Sequence, residues 1–223
     1  MSSEQIRTDM QGASIVALGR FNPTIFQPIW FSTNGLIRKE EADEAEIQVI
    51  HKDISVISTK CFSLQVMTDR FTISTTDASM FYPLRDLVRS VFVILEHTPV
   101  KAFGFNHFIQ VDMTSEENWH AFGNHYAPKQ SWMQIVENPG MRSLTIEGKR
   151  QGAQEGRIQI KIEPSSKIPH GVSIHSNEHY DIPDEKILTE AMSFFYDKLQ
   201  NEWPGYLEYG KNVTQHLLKV YKG

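Results

Sequence analysis

This sequence predicts an α+β fold, with long helices laid on one face of a curved sheet that is antiparallel or mixed. Three observations predict it. Residues 47–75 and 141–180 each hold short strand patterns broken by brief polar turns, the signature of an antiparallel meander. Within the second run Ile158, Ile160 and Ile162 alternate with Gln159, Lys161 and Glu163, so one face of the sheet meets a core and the other meets water. Two long amphipathic stripes, at residues 81–97 and 184–201, supply helices to cover the apolar face.

In chain order, residues 14–21 are apolar on both alternating faces (Ile15, Ala17 and Phe21 against Val16 and Leu18), which predicts a central strand covered on both sides. Asn22-Pro23-Thr24 then signals a turn, and a short helix runs through Trp30 and Phe31 until Gly35 closes it. The charged run 38–46 reads as a solvated surface. Four strands follow at 47–51, 54–59, 62–67 and 70–75. Pro83 opens the clearest helix, whose stripe of Leu84, Leu87, Val88, Val91, Phe92 and Leu95 is stopped at Pro99. Residues 100–113 form a long strand, with Phe103, Phe105, Ile109 and Val111 opposite Asn106, Gln110 and Asp112. Ser115 caps a helix through Trp119 and Phe122, and a second short helix carries Trp132, Ile135 and Val136. After the second meander, Asp184 caps a helix with Ile187, Leu188, Ala191, Met192, Phe195 and Leu199 buried. Pro204-Gly205 breaks it, and a last helix presents Gly210, Val213, Leu217 and Val220 on one side.

Residues 1–12 read as a flexible lead and 13–223 as one α+β domain. Its halves, 13–98 and 99–201, repeat the order strand, helix, meander, helix, and an extra C-terminal helix covers 205–221. That order resembles the duplicated plan of the TATA-binding-protein fold and, more loosely, the helix-grip fold of small-ligand carriers. These resemblances imply a curved sheet with helices on one face and no activity. Phe21-Asn22-Pro23, Asp69-Arg70-Phe71, Tyr82-Pro83-Leu84-Arg85 and Gly104 with Asn106 together resemble an uncharacterised, sporadically distributed bacterial family. No activity is assigned to that family, so the resemblance brings no site residues with it.

Composition narrows the function classes. The 223 residues are 40% hydrophobic, enough for one sizeable core. A net charge of −5 provides no positive field to hold phosphates, so nucleic acid is not expected as a partner. Cys61 is alone and cannot form an internal disulfide, and residues 1–12 lack the basic and apolar blocks of a leader, which together predict a reducing cytoplasm. The stretch 84–95 is interrupted by Arg85, Asp86, Arg89 and Ser90, so no membrane span is expected. Phosphate-cradling glycine loops, nucleophile elbows, paired cysteines and zinc-binding helices are all missing as motifs, and no cofactor is expected.

Histidine stands out, with nine in the chain. His175, Asn177 and His179 share one face of a strand, yet residues four apart lie about 13 Å from each other, too far to share one metal ion. His107 falls between Phe105 and Ile109 in an inward position, which predicts a hydrogen-bonded core residue. No catalytic or metal residues are assigned. The polar strand parity makes Asn106, Gln110, His175, Asn177 and His179, together with Arg70, the candidate ligand-binding residues. The expectation is a non-enzymatic binding or interaction protein of a bacterial cytoplasm, holding a protein or small ligand on the polar sheet face or between the halves, with a homodimer open. The alternative is a small, hydrolase-like enzyme whose acid and base come from separate strands. Convergence of Arg70, Asn106, His107, His175 and His179 in one pocket would favour the enzyme.

Overall fold

The computed structural model describes residues 8–153, 155–183 and 185–222. Nine strands form one sheet in which every neighbouring pair is antiparallel: β1 (Thr8–Gly19), β2 (Glu46–Ile50), β3 (Ile54–Ser58), β4 (Ser63–Met67), β5 (Arg70–Thr75), β6 (Val100–Asp112), β7 (Leu144–Gly148), β8 (Arg157–Pro164) and β9 (Gly171–Asp181). Their order is β2-β3-β4-β5-β1-β6-β9-β8-β7. The two longest strands, β6 and β1, pair at the centre, and a meander runs outward from each. Helices interleave as α1 (Pro28–Thr33), α2 (Lys39–Asp43), α3 (Phe81–Ile94), α4 (Glu116–Tyr126), α5 (Leu188–Asp197) and α6 (Trp203–Lys222). Strand, short helices, meander and long helix therefore succeed one another twice, as the sequence predicts.

The helix-facing side of the sheet is apolar because strand parity puts Ala13, Ile15, Ala17, Phe71, Ile73, Phe103, Phe105 and Tyr180 there, all buried. Stripes from α3 (Leu84, Val88, Val91, Phe92) and α5 (Ala191, Met192, Phe195) close over them. Aromatic contacts lock the layers: Phe103 stacks on Tyr180 with ring centroids 5.0 Å apart, and Phe92 meets Phe195 edge-on at 5.1 Å, joining α3 to α5. The indole of Trp203 donates to the Phe81 carbonyl at 3.1 Å, which ties α6 to the start of α3. A second, smaller cluster gathers Ile109, Val111, Phe122, Ile162, Val172 and Leu218 beneath α4 and α6.

Polar groups interrupt this interface where α6 crosses β6 and β9. His107 is 2% exposed, its ring edge-on to Phe81 and its Nε2 3.4 Å from Gln11 Oε1, while Nδ1 meets no partner among the described residues. The ring fits because position 210 on α6 is glycine; a Cβ there would sit 2.3 Å from Nδ1. Buried Tyr206 donates to the Ser176 carbonyl. Nearby, Arg150 donates from Nε to the buried Glu178 carboxylate at 2.8 Å and from a terminal nitrogen to Glu202 at 2.5 Å. These charge-assisted bonds hold the Arg150 guanidinium firmly protonated against the cost of its burial.

Several expectations are corrected. β1 begins at Thr8, so residues 8–12 are strand, because β6 is long enough to pair with Met10, Gln11 and Gly12. β1 is central but covered on one side only: Val16 and Leu18 lie half-buried on the side without helices, sheltered by their cross-strand neighbours. The short apolar segment at 132–136 is a turn and not a helix, and its side chains face solvent. α5 starts at Leu188; Asp184, the predicted cap, lies outside the described residues. Pro204 does not break the C-terminal helix. A π-helical turn over residues 198–202 joins α5 to α6 in one helical run, and a wider turn is a known way to accommodate a proline that would clash with the carbonyl four residues before it. The buried residues of α6 are Trp203, Tyr206, Leu207, Gly210, Thr214 and Leu218; Gly210 is buried as predicted, Val213 and Leu217 are half-buried beside Thr214 and Leu218, and Val220 is exposed. Ile158 and Ile162 are buried as expected, while Ile160 is only half-buried. Ile162 falls in the cluster with Leu218 of α6 and not in the one that α3 and α5 cover. Among the described residues no helix is long and apolar enough to cross a membrane.

Candidate functional site

Among the described residues no helix covers the second face of the sheet, and its side chains are the ones that strand parity leaves behind. Following the cross-strand partners from one edge to the other gives a single row: Glu46, Ser58, Ser63, Ser74, Ser14, Asn106, Asn177, Gln159 and Glu147. Every strand contributes one polar residue, seven of them uncharged between two terminal glutamates. Directly paired residues share a face. At about 4.8 Å between strands, the row extends roughly 38 Å.

The middle of the row borders a hollow of about 390 Å³, lined by Ser14, Ser74, Asn106, Phe108, Lys161, His175 and Asn177 among others. Asn177 donates from Nδ2 to Asn106 Oδ1 at 2.6 Å, which fixes both amides and leaves the Asn177 oxygen and the Asn106 amino group for other partners. Phe108 borders the hollow because its cross-strand partner is Gly12, where a Cβ would come within 2.4 Å of the ring. His175 stands beside Phe108, with its Nε2 2.9 Å from Ser173 Oγ and 3.2 Å from Glu163 Oε1. Lys161 reaches the same carboxylate at 2.5 Å. Burial lowers the His175 pKa, and Glu163 opposes that shift. Serine, histidine and glutamate thus meet, but through a single ring nitrogen. A nucleophilic triad needs one nitrogen for the serine and the other for the carboxylate, so this cluster lacks triad geometry.

The structure brings Asn106, His175 and Asn177 together at the hollow. Gln110 lies one pair of residues further along, 7% exposed, with its carbonyl oxygen occupied by Ser165 Oγ at 2.6 Å. His179 points the other way along β9 and bonds Asp181 at 2.9 Å, holding that carboxyl below its ordinary range. Arg70 pairs with Leu18, four residues along β1 from Ser14 and about 13 Å away, so it stands apart. His107 turns its ring to the helix side. Each of His175 and His179 has its own carboxylate, and no group of three His, Cys, Asp or Glu side chains among the described residues is placed to hold a metal ion. Cys61 is half-buried, its thiol pushed up chiefly by burial.

Sequence reasoning missed Ser14 and Ser74, which sit in otherwise apolar strands, and Phe108, whose aromatic character reads as core. Lys161 and Glu163 carried the signal of outward parity on β8, without anything to say that β8 lies two strands from β6. Comparison with protein-family models gives no match to this chain, and comparison with curated proteins gives none.

Proposed function

We propose that this chain is a non-enzymatic binding protein that holds a polar, hydrogen-bond-rich ligand against the uncovered face of its sheet, centred on Asn106, His175 and Asn177. The observation that carries the reading is the unbroken polar row from all nine strands, with a hollow at its midpoint. Solvent exposure alone asks only that charged or polar residues be scattered there. An amide pair fixed by its own hydrogen bond is instead preorganised, so little side-chain freedom is lost when a ligand takes the remaining donors and acceptors. A volume near 400 Å³ falls within the range of small-ligand sites, and a short protein segment would fit the length of the row. The lone half-buried cysteine suits a reducing compartment, and we place the protein in a bacterial cytoplasm.

The test is amide chemical-shift mapping with a metabolite library and with fractionated bacterial extract. Shifts are expected at Ser14, Asn106, His175 and Asn177, and they are expected to vanish in Asn106→Leu/Asn177→Leu. Shifts confined to the 39–46 segment or to the helices would refute the site.

A further inference from the structure

The geometry points to a two-fold homodimer built at the β7 end of the sheet, in which an apolar loop of each copy seats in an apolar groove of the other. This rests on surfaces separate from the polar row. The loop is the connection between α4 and β7. Trp132, Met133, Ile135 and Val136 are 53%, 66%, 76% and 48% exposed, four large apolar side chains within five residues and without a charge among them. The groove, of about 550 Å³, lies on the helix side between β7, β8 and α6; its walls include Tyr126, Leu144, Ile146, Val213 and Leu217, and none of its lining residues is Asp, Glu, Lys or Arg. Tyr126 ends α4 and Leu144 begins β7, so the loop leaves and re-enters the fold at the walls of the groove itself, yet its side chains remain outside it.

A projecting apolar element and an apolar hollow next to each other on one chain are what an isologous pair requires, because a single two-fold rotation fills both hollows at once. An unrelated partner would have to supply a matching knob and a matching hole separately. The area is sufficient. At about 100 Å² of apolar area for a large aliphatic side chain, the four loop side chains, a little over half exposed, offer about 250 Å² per copy. The groove walls that cover them lose a similar area, so the two reciprocal contacts together bury about 1,000 Å², the lower bound of a specific interface. β7 is the outermost strand at this end, so nothing else in the sheet lies between two approaching copies.

The experiment is analytical ultracentrifugation of the full chain at micromolar concentrations, beside Trp132→Ser/Ile135→Ser. A dimeric wild type and a monomeric variant that keeps one cooperative thermal transition are expected. A monomeric wild type, or a variant that stays dimeric, would overturn the proposal. Single-cysteine chains in a Cys61→Ser background then identify the contact. Ile135→Cys mixed with Val213→Cys is expected to give an intermolecular disulfide between the two chains. Failure of the mixture to cross-link, with a disulfide forming only when both cysteines are on one chain, would place the loop in its own groove and end the proposal.

Discussion

His107 offers a direct test of how tightly α6 closes on the sheet. Burial, with a smaller contribution from the positive charge of Lys211, lowers its pKa from 6.5 to about 4. The unfolded chain therefore takes up this proton first as the pH falls. Because the folded value is the depressed one, stability from keeping His107 neutral is complete above pH 6.5 and is lost as the pH falls from 6.5 toward about 4. At about 1.4 kcal/mol per pH unit, the loss approaches about 3 kcal/mol at the lower end. His107→Phe keeps an aromatic ring against Phe81 and removes the titration. Urea unfolding of both proteins at intervals from above pH 6.5 down to pH 4 gives two stability curves, and their difference cancels the carboxylates and other histidines they share. The wild type is expected to lose about 3 kcal/mol more than the variant over this window. Parallel curves would mean that His107 is hydrated or paired when folded, and the tight α6 interface would be refuted.

Other consequences follow from the same packing. Gly210→Ala improves helix propensity by about 1 kcal/mol, but its Cβ meets His107 Nδ1 at 2.3 Å and Ser176 Oγ at 3.2 Å. The expected net effect in chemical denaturation is destabilisation of about 1–3 kcal/mol, and a stabilised variant would contradict the close approach. Arg150→Met leaves Glu178, which is 1% exposed, without its cationic partner and is expected to cost about 3–5 kcal/mol. Arg150→Met/Glu178→Leu is expected to recover much of that loss; equal losses in the single and double variants would show that the carboxylate is not truly desolvated. Ile158→Asp, at a 5% exposed position, is expected to lower the melting temperature strongly, whereas Gln159→Asp on the uncovered face leaves it nearly unchanged. Similar melting temperatures would overturn the facing of β8.

The elements were legible where period and punctuation agree. Both meanders and α3 were readable within a few residues because short apolar alternation between polar turns, or a stripe led by proline, has one economical solution. The last helix was readable too, but not its continuity with the one before, because Pro204-Gly205 carries a local stop signal that a π-turn overrides, and such a turn has no sequence pattern of its own. β1 was read as covered on both sides since Val16 and Leu18 are apolar; parity reports the residue and not what lies above it. Of the site, Asn106, His175 and Asn177 were identified by parity alone. Their meeting was not, since it depends on β6 pairing with β9, a strand more than sixty residues later. Arg70 and His179 share that parity and still lie elsewhere, because parity sets the face and register sets the position along it.

The two halves build the same sheet but not the same surface, and that difference locates chemistry more narrowly than the row does. On the first half the uncovered face carries Ser63, Gln65, Thr72, Ser74, Ser14, Val56 and Val16 across its middle, with Glu46 on the edge strand and Arg70 at the start of β5. On the second, the corresponding strands carry Arg157, Lys161, Glu163, His175 and His179. A fold needs neither pattern, since both leave the helix-side core untouched. At the hollow the ionisable side chains of the uncovered face, Lys161 and His175, come from β8 and β9, with Lys161 paired to Glu163, while β5 and β1 offer the uncharged hydroxyls of Ser74 and Ser14. On the proposed reading, a ligand lying across the β1–β6 seam would meet Lys161 and His175 on one side and the uncharged Ser14 and Ser74 on the other. Orientation across the seam is therefore the property that distinguishes a ligand site here from a face that is merely wet.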